Sequence, residues 1–290
     1  MKEHSLRLGR ARERIMHILF LVAACASVAA VALICAFLFA NSIPAFVEIG
    51  PLNFLLGTVW RPGNDLYGIF PMIMGSLYVT AGALLLGVPI ALLTAIFLAR
   101  FCPPRIYRLL KPAVNLLAGI PSVVYGFFGL VVLVPFVRNT FGGNGNSILT
   151  ASVLLAMMIL PTIIGVAEAA IRAVPESYYE GSLALGATHE RSVFFAVFPA
   201  AKSGVMAGVI LGVGRAVGET MAVIMVAGNQ PRLPSSILEG VRTLTTNIVM
   251  DMSYAIGLHR EALIATGTVL FVFIMLINVL FSLAKRRSER

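Results

Sequence analysis

The stretch Pro175-Glu176-Ser177-Tyr178-Tyr179-Glu180-Gly181-Ser182-Leu183-Ala184-Leu185-Gly186-Ala187-Thr188, continuing through Pro199 to Asn229, joins two kinds of sequence. From Glu176 to Pro199 it is polar and charged, and it lies between two hydrophobic spans. From Ala200 to Asn229 it is apolar and glycine-rich, yet it carries Arg215 and Glu219 in its interior. A charged segment with helix signals feeds an apolar span that buries two opposite charges. That pattern predicts a protein coupling an event outside the bilayer to one within it.

The remainder of the chain supplies the bilayer. Of 290 residues, 59% are hydrophobic and 12% charged, with a mean hydropathy of +0.92. A soluble domain is roughly half apolar and about a quarter charged. The excess needs lipid around it, so the chain reads as a polytopic, all-α integral membrane protein of one domain. The net charge of +9 fits the basic bias of cytoplasmic loops, and no nucleic-acid partner is expected. Cys25, Cys35 and Cys102 lack metal or redox spacing and read as small apolar fillers. His4, His17, His189 and His259 are too scattered for a metal cluster.

Six spans of about 20 or more apolar residues can be drawn. The first runs from Ile15 to Ala40. It is longer than the 7–15 residues of a signal-peptide core, so an uncleaved span after a cytoplasmic tail, 1–14, is expected. A mixed segment, Asn41 to Tyr67, carries interfacial aromatics. Span two is Gly68 to Ala99. Span three is Pro112 to Val137, with a kink expected at Pro121. Span four is Ile148 to Val174, broken at Pro161. Span five is Ala200 to Asn229, and span six is His259 to Ala284. Gly142-Gly143-Asn144-Gly145-Asn146 is a turn. Ile237, Leu238, Val241, Leu244 and Ile248 fall at helical spacing, which predicts a short amphipathic helix on the outer surface. With the N-terminus inside, inner segments hold 16 of the 22 basic residues and outer segments five. This asymmetry puts both termini, the basic tail 285–290 and the loop 175–199 in the cytoplasm.

Within that loop, Ser177 and Glu180 have capping-box spacing. A helix should follow and stop at Gly186, which can adopt the left-handed conformation. Thr188 should cap a second helix that runs to Pro199. In span five, 100° per residue from Gly204 places Gly208 at about 40°, Gly212 at about 80°, Arg215 at about 20° and Glu219 at about 60°. The glycines would admit a close neighbouring helix. Arg215 and Glu219 would sit four residues apart on the same face. They read either as an ion pair stapling helices or as a cation lining an anion path, since guanidinium matches oxyanions. Glu168 and Arg172 form a second such pair, expected at headgroup level and solvated there. No G-x-x-x-x-G-K-[ST] phosphate loop is present, so any ATP hydrolysis must lie on another chain.

Glu180-Gly181-Ser182, Gly186 six residues after the acid, and Pro199 thirteen after that glycine resemble the EAA loop of ABC importer permeases. Ala118–Gly126, Met158–Thr162, Leu183–Thr188 and above all Gly214–Val223 resemble phosphate-specific transporter permeases of the PstC type. Gly181-Ser182 replaces two alanines, and Ala196 and Phe198 stand where aliphatics are usual. The resemblance implies a six-span, type I importer fold that moves inorganic phosphate by alternating access. It implies that Ser177, Glu180, Gly181, Ser182, Gly186 and Pro199 serve ATPase coupling, and that Arg215 and Glu219 line the substrate path. Implied partners are a PstA-type permease, a PstB-type ATPase dimer that binds the ATP and Mg, and an extracytoplasmic phosphate-binding protein. This chain would hold no cofactor and would not be an enzyme. It would lie in the bacterial cytoplasmic membrane. A permease of the same architecture for phosphonate, molybdate or sulphate, or an ion-coupled secondary transporter, are the alternatives.

Overall fold

A computed structural model describes residues 2–288, with side chains placed at 13–280, 282 and 283. Residue 1 and residues 289–290, at the ends of the expected tails, lie outside the described residues. The helices are α1 Lys2–Ile49, α2 Pro51–Leu56, α3 Phe70–Ile96, α4 Pro104–Gly119, α5 Ser122–Phe128, α6 Val134–Phe141 and α7 Ile148–Arg172. They continue with α8 Glu176–Ala184, α9 His189–Ser192, α10 Phe198–Ala200, α11 Lys202–Gly218, α12 Met221–Val226, α13 Leu244–Asp251 and α14 Gly257–Ser288. Between α2 and α3, β1 Trp60–Arg61 pairs antiparallel with β2 Leu66–Tyr67. Single π-helical turns occupy Phe97–Phe101, Gly129–Leu133 and Val193–Val197.

Five segments are long and apolar enough to cross a bilayer: Glu13–Ile49, Phe70–Phe101, Ser122–Phe141, Ile148–Arg172 and Gly257–Leu280. His189–Ala200 and Lys202–Gly218, which meet at a 70° bend, pass the same length and hydropathy test only when taken together, a sixth and broken candidate. α7 is the central post. Its apolar window is 67% buried, more than that of any other span. Ser147 caps it by accepting the Thr150 amide, and the Thr150 hydroxyl donates to the Gly145 carbonyl. α3 and α11 both pack on α7. Where α11 meets α7, a Cβ added to Gly204 would sit 2.5 Å from Ala170 Cβ, and one on Gly212 2.7 Å from Ile163 Cδ1. Gly208 faces Val166 on the same seam. Glycine thus sets the interhelical distance. In contrast, the apolar window of α1 is unburied. Near its end α1 meets α14, where the Thr268 hydroxyl donates to the Leu38 carbonyl and Phe39 packs edge-on against Phe271.

The boundaries differ from the sequence reading in five places. α1 continues to Ile49 through Pro44, which lacks the amide that would meet the Ala40 carbonyl, while Asn41 and Ser42 donate back to the carbonyls of Phe37 and Phe39 in the preceding turn. Span three begins at Ser122 instead of Pro112. The proline ring of Pro121 forces Ile120 into an extended conformation, so α4 is a separate helix. Pro161 does not break α7, where the surrounding helices bury it. α8 starts at Glu176 with Pro175 before it, so Ser177 lies inside the first turn and caps nothing. The outer connection holds only α13, whose residues Leu244 to Asn247 are buried, whereas Ile237 is non-helical and exposed.

Since Ala170 Cβ sits on a rigid backbone, Gly204→Leu should separate α11 from α7. The expected cost is about 1–3 kcal/mol, read as a lower thermal midpoint of the detergent-purified chain.

Candidate functional site

The site forms where the fifth apolar stretch fails to remain one helix. α11 ends at Gly218, and Glu219 is extended at φ −70°, ψ 132°. A break inside a bilayer frees backbone groups that water cannot reach. Here two of them are met by specific partners. Glu219 Oε1 accepts the Ala222 amide at 3.0 Å and so caps α12. Thr245 Oγ1 donates to the Glu219 carbonyl at 3.1 Å. Thr245 stands in the first turn of α13, which opens with a capping box between Thr243 and Thr246.

α13 is itself anchored. Ser76 Oγ on α3 accepts the Leu244 amide at 2.9 Å. Arg242 Nε donates to the Asn229 carbonyl at 3.1 Å, and its Nη1 donates to Asn247 Oδ1 at 3.1 Å. At the far end of α13, buried Asp251 takes Trp60 Nε1–H at 3.0 Å and the Tyr254 hydroxyl at 2.7 Å. Arg242 and His259 lie 3.6 and 3.5 Å from its oxygens. The carboxylate holds the Tyr254 phenol above its ordinary pKa, because ionising the hydroxyl would remove that bond and add a like charge. Beside this node a cavity of about 460 Å³ is lined by Arg61 and Arg232 with Trp60 and Gln230.

Arg215 is on the last turn of α11, half-buried. Its Nη1 donates to Thr162 Oγ1 at 3.1 Å. Thr162 lies near the middle of the 25-residue α7, which puts the guanidinium at mid-span. The expected Arg215–Glu219 pair does not form, because the helix that would have set them four residues apart ends between them. Among the described residues, Arg215 makes no ion pair. A guanidinium has five N–H donors, so most of its capacity is unspent.

The end of α7 that leads into α8 is built around a second carboxylate, one that the sequence reading placed at headgroup level. Glu168 is only 1% exposed. It accepts from Lys111 Nζ at 2.7 Å, Arg172 Nε at 2.9 Å and the Tyr107 hydroxyl at 2.8 Å. Its solvation therefore comes from α4 and its own helix. Nothing in the local spacing pairs 168 with 111, because that contact depends on how α4 folds back.

The loop 175–199 follows. α8 ends before Gly186, which takes φ +85°. The Thr188 hydroxyl accepts the Arg191 amide to cap α9. Glu180 and Gly181 are exposed on α8, whereas Ser182 is half-buried there. Pro199 is exposed on α10, just before the 70° bend. Leu185 is 91% exposed and Phe195 79%, an apolar surface beyond the span ends. Glu190 is held below its usual pKa by hydrogen bonds from its own backbone amide and Thr188.

Together, a glycine seam, a broken span with a mid-depth cation and a capped helical loop define the class: a multi-pass membrane permease. The fold matches the inward-facing methionine ABC transporter MetNI with a TM-score of 0.58, at 22% identity over 77% of this chain and 95% of that one. It also matches the permease of a bacterial alginate ABC transporter, with a TM-score of 0.60 at 15% identity over 86% and 87%. Residues 87–290 match the family of binding-protein-dependent transport system inner membrane components, and the chain belongs to that family. It is similar to a probable ABC transporter permease protein of Bacillus subtilis, 40% identical over 91% of this chain and 90% of that protein. It is also similar to the phosphate transport system permease protein PstC of Mesorhizobium japonicum, 36% identical over 83% and 80%. These findings place the chain as a transporter component among multi-pass inner-membrane permeases.

Glu168→Ala should lower stability by about 3 kcal/mol, the low end for a broken buried pair, because Lys111 and Arg172 keep partial access to solvent. Thermal unfolding of the purified chain measures it.

Proposed function

We propose that this chain is the membrane-spanning subunit of an ATP-driven importer of inorganic phosphate. The observation that carries the reading is Arg215. A charge at mid-bilayer costs about 2.5–3.5 kcal/mol on insertion scales and marks function by default. This one is left without a carboxylate partner among the described residues, with a single neutral bond to Thr162. A planar fork with unspent donors suits a tetrahedral oxyanion. Glu219 borders the same path, and its carboxylate shapes the break by capping α12. Arg61 and Arg232 at the outer cavity draw anions toward it.

In this reading the N- and C-termini and the loop 175–199 are cytoplasmic. The loop docks on an ATPase dimer of the PstB type, which binds the ATP and Mg. Glu180, Gly181, Ser182 and Gly186 belong to the docking helix and its turn, and Ser177 and Pro199 frame it. A PstA-type permease completes the pore, and a phosphate-binding protein delivers the anion from outside. ATP-driven closure pushes the docking helices. The α11 faces then part and open Arg215 to the outer side. Hydrolysis resets them inward.

Two measurements test this. Arg215→Ala should abolish phosphate uptake while the complex still assembles, and wild-type uptake by that variant would sink the assignment. ATP hydrolysis by the reconstituted complex should be stimulated by phosphate-loaded binding protein and not by sulphate- or phosphonate-loaded counterparts. Stimulation by another oxyanion would keep the architecture and replace the substrate.

A further inference from the structure

The π-turn Phe97–Phe101 ends span two, and three elements, α7, α8 and α9, grip it. π-turns inside helices are frequent at functional positions. Arg172 Nη2, from α7, donates to the Leu98 carbonyl at 2.6 Å. Arg100 Nη1 pairs with Glu176 Oε2 at 2.8 Å, and Glu176 is the first residue of α8. The same guanidinium lies 5.8 Å from the Tyr179 ring centroid. Phe101 packs edge-on against His189 of α9 at 4.7 Å. The Tyr179 hydroxyl and His189 Nδ1 are 2.7 Å apart, which locks α8 to α9 behind the turn. Through Arg172 the turn also reaches Glu168, and through Glu168 the Lys111 and Tyr107 of α4.

We propose that this turn is the joint through which the docking loop drives span two, with Arg100 as the positioning residue that transmits the displacement. The inference rests on the reading of loop 175–199 as the ATPase-docking loop. The chain itself links the loop to α11 through α10. It offers no covalent link from the loop to α3. The Arg100 contacts make that second link, and α3 packs along α7, so moving the turn moves the central pair. The side chain of Arg100 is 13% exposed, whereas that of Glu176 is 56% exposed. The joint is therefore anchored on the span side and open on the loop side. Arg100 Nε is buried without a partner. An unsaturated buried donor is costly to hold, and it leaves capacity for a different pairing at another stage of the cycle.

The test is uptake per ATP in the full complex, reconstituted with ATPase, second permease and phosphate-loaded binding protein. For Arg100→Gln the ATPase should still co-purify and hydrolyse within about twofold of wild type, while phosphate moved per ATP falls roughly fivefold or more. Arg100→Glu with Glu176→Arg should regain most of that ratio. Tyr179→Phe, which removes one hydroxyl, should shift the ratio the same way and serves if Arg100→Gln does not assemble. An unchanged ratio overturns the proposal. Hydrolysis and uptake falling together also overturn it, since a purely structural staple or lost docking would do that. Failure of the unsubstituted chain to recover an ATPase would instead overturn the docking-loop reading.

Discussion

A helix that stops inside hydrocarbon must find hydrogen-bond partners for the backbone it frees. In this chain the break at Glu219–Thr220 imposes that demand, and α13 with its anchors answers it. The Glu219 carboxylate satisfies one amide, and Thr245 satisfies the Glu219 carbonyl. Thr245 is held there because α13 is capped, seated on Ser76 and tied to Asn229 by Arg242. The far end of α13 is pinned by Asp251 to Trp60 of the β-hairpin. Removing the break would leave this run of contacts without a purpose.

The two ends of the molecule use buried carboxylates differently. Asp251 sits among aromatic rings, one Arg and one His, and ties α13 to the β-hairpin and α14. Glu168 sits under two cations and a phenol, and binds an amphipathic helix to the central post. Neither carboxylate faces the break. Their charges are consumed in holding the elements around the path, while the Arg215 guanidinium is left mostly unspent.

The spans and the capped turns of the loop 175–199 were legible because they are local. A run of apolar residues, a glycine in the left-handed region at Gly186 and a threonine cap at Thr188 each act within a few residues. The glycine seam was legible for the same reason: a helical wheel needs only spacing. The same wheel misplaced Glu219, because nothing in its arithmetic marks where a helix ends. Gly218 was the available signal, and its meaning depended on Thr245, which lies 26 residues beyond Glu219. Pro44 and Pro161 misled in the opposite sense. The helix passes through both, and at 161 the proline sits in a buried setting. Glu168 with Lys111 was invisible for a topological reason, since 57 residues and a helix reversal separate them.

Trp60 is the only tryptophan in the chain. It is 5% exposed, donates to Asp251 and packs edge-on against Tyr67 and His259. The hairpin end of this protein therefore carries its own fluorophore, seated in the contact that pins α13. Light emitted by an unlabelled chain reports the state of that one contact, with an imidazole beside the ring to quench it.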